Sequence, residues 1–134
     1  MKTFLFSYLA IVLGFSVYLF QDPTLEASVQ RGSEIYADFC ITCHMAQGEG
    51  VATAFPPLAK SDYLQNNREG SIRGIKFGQQ GELVVNGVIY NSVMAPMGLE
   101  DEEVADVMNY ILNSWGNTSD KMVTVEEVEA IQKK

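Results

Sequence analysis

Apolar and polar residues change rhythm several times along these 134 residues. Thr3 to Phe20, TFLFSYLAIVLGFSVYLF, carries no charge and lies between Lys2 and the sequence Gln21-Asp22-Pro23. As a helix this stretch would be about 27 Å long, close to the thickness of a bilayer's hydrocarbon core. Signal-peptide apolar regions are usually shorter and end at a small-x-small cleavage site, which the sequence before Gln21 does not offer. The pattern predicts an N-terminal transmembrane anchor over residues 1–22, with the amino terminus inside and a domain over residues 23–134 outside. A cleaved signal peptide, releasing the domain to the periplasm, is the competing reading.

From Thr24 to Phe39 the spacing becomes helical, with Leu25, Val29, Gly32, Ile35, Tyr36 and Phe39 on or near one face. Residues 45–60 are rich in Gly, Ala and Pro and predict an irregular loop able to wrap a flat object. Ser61 or Asp62 can cap a short helix, and a second helix is expected over much of Glu69 to Phe77. Between Glu82 and Tyr90, β-branched residues flank Asn86-Gly87, the signature of a two-residue hairpin turn. Asn91 to Leu99 is a loop. Asp101 to Trp115 predicts the clearest helix, with a buried stripe of Val104, Val107, Met108, Ile111, Leu112 and Trp115 and acidic residues at its positive dipole end. A capping box from Thr124 to Glu127 starts a last helix that closes on Lys133 and Lys134.

The length suits one compact domain and therefore one site. A formal charge of −8 and a pI near 4.5 disfavour nucleic acid and anionic membrane surfaces as partners and favour a basic docking surface. Without segment 1–20 the balance is 8 basic against 17 acidic residues. Only two cysteines occur, Cys40 and Cys43, and the sole histidine, His44, follows them. A zinc shell cannot be completed from these three. A thioredoxin-like redox pair would need a βαβ context that the helical pattern does not supply.

Cys-x-x-Cys-His is the signature of c-type haem attachment. Each thiol adds across one vinyl group of a porphyrin, and the adjacent histidine lies beneath the iron as its proximal ligand, held by a hydrogen bond from its other ring nitrogen. With one histidine, bis-histidine ligation is excluded. The sixth position falls to a methionine, a lysine, an amine terminus, or nothing. Of six methionines, Met94 and Met97 lie in a loop able to reach the opposite haem face, and either could serve.

These residues carry a resemblance. The chain resembles a class I cytochrome c over about Leu25 to Gln132, and the resemblance implies an all-α cytochrome c fold of four to five helices around one covalent haem c, with a small β-hairpin added. Gly32 and Tyr36 take the place of the family's glycine and aromatic on the N-terminal helix, which would cross the C-terminal helix at Val107 and Tyr110. In Phe55-Pro-Pro-Leu58, Pro56 corresponds to the proline whose carbonyl accepts the proximal histidine's proton. Alignment on Tyr90 and Leu99 selects Met94 as the sixth ligand, although Met94-Ala95-Pro96 departs from the family's Met-Pro. NGVIYNSVM and EEVADVMNYILNSWGN are similar to domains serving membrane oxidases and copper nitrite reductases. The resemblance implies a single-electron carrier rather than an enzyme, passing electrons between redox proteins at the outer face of the membrane. A subunit fixed in a larger respiratory complex, and a five-coordinate haem sensor or peroxidase, are the alternatives.

Overall fold

A computed structural model describes residues 24–133, so the anchor predicted over residues 1–22 lies outside the described residues. Among the described residues no helix is long and apolar enough to cross a membrane. Among the described residues, six helices and one hairpin follow in order: α1 (Leu25–Phe39), α2 (Ile41–His44), α3 (Asp62–Asn66), α4 (Arg68–Phe77), β1 (Leu83–Val85), β2 (Val88–Tyr90), α5 (Asp101–Leu112) and α6 (Val125–Glu129). Polar side chains start most of them. Thr24, Ser61, Asn67 and Thr124 each accept a backbone N–H in the first turn, and the Glu103 carboxylate accepts from the Glu100 N–H at 2.8 Å.

The frame is the crossing of α1 with α5. Gly32 sits at that crossing, where a Cβ would lie 2.6 Å from the Asp106 carbonyl carbon and 2.8 Å from Tyr110 Cβ. Of the expected pair, Val107 and Tyr110, Tyr110 does meet Gly32; the other contact is the Asp106 carbonyl, one residue before Val107, which is wholly buried on the core side. Because backbone rather than a flexible side chain blocks the space, Gly32→Ala should destabilise the protein by about 3 kcal/mol, the upper part of the usual overpacking range. Thermal unfolding followed by circular dichroism measures this as a lowered Tm; an unchanged Tm would show that the helices separate freely.

The buried seam of α1 is Ser28, Gly32 and Tyr36, shifted from the predicted face because a polar residue is buried. Ser28 Oγ donates to Asp106 Oδ1 at 2.6 Å and accepts from Asn109 Nδ2 at 2.8 Å. Arg31 closes the group with two bonds to the Asp106 carboxylate, at 2.6 and 2.8 Å. A buried carboxylate satisfied in this way tolerates its desolvation. Phe39, expected in the core, is 46 % exposed and lines a cavity instead.

Helix α5 ends at Leu112, three residues before the predicted end at Trp115. Trp115 and Gly116 adopt positive φ, 53° and 87°, and that turn folds the indole back onto Tyr36 and Tyr110, with ring centroids 4.9 and 5.3 Å away. Helix α6 stops at Glu129, short of Lys133, and Ile131 drops into the core. The terminal segment is fastened by Arg68, which binds Glu127 twice and the carbonyls of Lys121 and Met122. The hairpin forms as predicted, with Val84 opposite Ile89, and its turn is tied to α3 by reciprocal bonds between Asp62 and Asn86.

Candidate haem site

One helical turn decides the proximal side. In α2 the His44 N–H donates to the Cys40 carbonyl at 2.9 Å, so Cys40, Cys43 and His44 stand at positions i, i+3 and i+4 on one face. All three line a cavity of about 350 Å³. Both sulfurs are free of a disulfide. Burial, and then the neighbouring Cys43, push the Cys40 thiol up to about 11. His44 is 8 % exposed, and burial lowers its pKa despite the opposing bond to Pro56. A neutral imidazole is the form that binds a metal.

A backbone carbonyl orients the ring. His44 Nδ1 lies 2.9 Å from the Pro56 carbonyl, which can only accept, so Nδ1 carries the proton and Nε2 keeps its lone pair. Among the described residues no fully buried side-chain nitrogen or oxygen lacks a partner, and Nε2, with no protein partner, therefore faces the open cavity. The Pro56 carbonyl is held in place by the tight loop before it. Val51 and Phe55 exchange two 2.8 Å backbone bonds, and Gly50, at φ 64°, packs where a Cβ would be 2.8 Å from the Pro56 oxygen. Tyr36 steadies the same loop by donating from its hydroxyl to the Met45 carbonyl at 2.7 Å.

Across the cavity, α4 presents Gly70, Ser71 and Gly74, residues too small to fill it. Val85 and Tyr90 of the hairpin close one side. The Asn91–Leu99 loop brings both methionines, Met94 and Met97, to the wall. They are not equivalent. Met94 makes a two-bond antiparallel bridge with Gln79, N–H to carbonyl in both directions at 2.8 Å, whereas no hydrogen bond ties the backbone of residues 95–99 among the described residues. Met108 is wholly buried in the core, as its place on the α5 stripe implied.

An apolar slot lined by two thiols, an imidazole with one free nitrogen, small residues of α4 and two thioethers fits a porphyrin iron well. Cys40 and Cys43 would tether such a ring and His44 would bind its iron, with Met94 and Met97 both on the wall of the same cavity.

Two contributors escape a sequence reading. Asn117 donates to the carbonyls of Leu58 and Ile111, both at 2.9 Å, and accepts from the Lys60 N–H at 2.8 Å, which binds the end of the proximal loop to the end of α5. In Gly-Asn-Thr-Ser it looks like any loop asparagine. Gln79 acts through its backbone, which no side-chain pattern can reveal.

The cytochrome c family model matches residues 29–115. Cytochrome c-552 of Thermus thermophilus is 39 % identical over 112 residues, covering 77 % of this chain and 85 % of that protein. The cytochrome c subunit of the quinone alcohol dehydrogenase of Gluconobacter oxydans (strain 621H) is 31 % identical over 105 residues, which are 75 % of this chain but 22 % of that subunit. Cytochrome c6 of Gracilaria tenuistipitata var. liui is 33 % identical over 96 residues, 70 % of this chain and 80 % of that one.

Proposed function

Since this chain belongs to the cytochrome c family and is a class I c-type cytochrome, an electron carrier with covalently bound haem c, we propose that it shuttles single electrons between redox proteins with its iron held by His44 and Met94. The observation that carries this reading is the placement of the His44 imidazole and the bridged Met94 on the wall of one cavity that also holds both thiols. When bound, the haem supplies iron that cycles between the ferric and ferrous states. The protein's residues do the rest. Cys40 and Cys43 tether the ring, His44 binds through Nε2 while Pro56 fixes its plane, and the Met94 thioether favours the ferrous state and raises the potential. With His44 and Met94 both bound, the iron would have no position left for a substrate, so the group would serve electron transfer alone.

The uncharged run at Thr3–Phe20 supports a membrane anchor that holds the domain at the outer face. A subunit permanently fixed in a larger oxidoreductase is the second reading, favoured by the likeness to a dehydrogenase's cytochrome c subunit. Co-purification from detergent separates the two.

Charge distribution points to a basic partner. Arg31, Arg68, Arg73 and Lys76 are each engaged in an internal ion pair. Residues 39–58 and 79–97, which wall much of the cavity, contain no Lys or Arg, and within the second segment Val84, Ile89 and Val93 are exposed. The net negative charge attracts a basic protein, and the cavity rim meets it with no positive charge of its own. Oxidation of the reduced protein by a basic redox protein, followed by stopped flow, should therefore slow as salt is added, because charges more than about 8 Å apart are largely screened at physiological ionic strength. A rate indifferent to salt would reduce the acidity to a solubility device.

A further inference from the structure

We propose that Gly78 and Gln79 are positioning residues that select Met94 over Met97 as the sixth ligand. This rests on the His44/Met94 reading above and adds how the choice between two methionines in one loop is made. Both lie on the cavity wall, three residues apart, and the family resemblance that favours Met94 gives no physical reason for the choice.

The ranking comes from where the loop is pinned. Helix α4 is fixed at its end by Lys76, whose Nζ donates to the Val128 carbonyl at 3.0 Å and pairs with Asp101 at 2.8 Å. Immediately after it Gly78 turns the chain at φ 84° and ψ 165°, a region essentially closed to residues with a side chain. That turn presents both polar backbone groups of Gln79 to Met94, and the two 2.8 Å bonds set the register of the loop residue by residue. The absent side chain matters as well. A Cβ on Gly78 would stand 2.8 Å from the Met94 carbonyl oxygen and 3.0 Å from the Pro96 ring, so only glycine lets the loop lie this close. Pro96, the proline displaced by one residue from the family's Met-Pro, is the residue seated there. Met94 is thus referenced to a rigid helix end, and Met97 hangs from an untied stretch.

The test uses the mature ferrous protein with methionine methyls labelled with carbon-13. Ring-current shift marks the methyl that lies against the porphyrin. Wild type should show one strongly shifted methionine methyl, lost in Met94→Ala. Gly78→Ala should show two shifted populations and a broadened or split redox midpoint. The second population should vanish when Met97→Leu is added. Gly87→Ala is the control: at φ 77° it is strained too, but no atom lies near its Cβ position, so it should lower stability while keeping one shifted methyl and a single midpoint. A single shifted methyl and an unaltered midpoint in Gly78→Ala would overturn the proposal. Should Gly78→Ala fail to mature, amide exchange of the wild type decides: the Met94 and Gln79 amides should be as protected as those of the hairpin, with those of Ala95, Met97, Gly98 and Leu99 exchanging fast. Free exchange at Met94 would overturn it. A shifted methyl that survives Met94→Ala would instead sink the ligand assignment itself, whatever the glycine variants do.

Discussion

Replacing both Cys40 and Cys43 with alanine is expected to abolish covalently bound haem, so that a denaturing gel stained for haem shows no band at the mass of this chain. The sulfurs stand one helical turn apart on the cavity wall, and the chain has no other cysteine, so no second covalent route exists. The single variants should each retain one bond and stain weakly. A double variant that stained like wild type would refute the attachment site. The consequence for the fold should also be large. The slot of about 350 Å³ is walled by apolar side chains, and emptying a cavity in a core is strongly destabilising, with single large-to-alanine substitutions alone costing about 2 to 5 kcal/mol.

The second large effect separates the two methionines. Met94→Ala should lower the reduction potential and open the ferrous iron to carbon monoxide, because it removes the thioether that stabilises the reduced state and vacates an axial position. Met97→Ala should leave both nearly unchanged, although it loses packing at the wall and so some stability. Potentiometry and carbon monoxide binding read the two variants independently of any partner. The reverse pattern would move the ligand to Met97. Rapid carbon monoxide binding by the wild-type protein would remove both assignments and favour a five-coordinate sensor or peroxidase.

Local features were legible in the sequence because they are written within a few residues. The caps at Ser61 and Thr124 and the Asn86-Gly87 hairpin came through as read, each resting on a spacing of three or on the turn geometry of two residues. Helix ends were read less well. Trp115 has the spacing to continue α5, yet it turns out through a left-handed conformation because stacking on Tyr36 and Tyr110 outweighs another helical turn. Phe39 reads as core by hydrophobicity and stands on the cavity wall instead.

By itself the sequence pointed to covalent haem and to Cys40, Cys43 and His44 as the residues proposed to hold it, since two thiols and an imidazole at this spacing are a local motif. Resemblance to a family added Pro56 and Met94 as expectations. Tertiary structure alone put the Pro56 carbonyl against the His44 ring, buried Asp106 and Asn109 beneath Ser28 and Arg31, and tied Met94 rather than Met97 to the end of α4. Those decisions pair groups from 12 to 81 residues apart in the chain. No periodicity records such a pair: which atoms meet is set by how closely two backbones pack, and at Gly32 and Gly78 that closeness depends on a side chain that is not there.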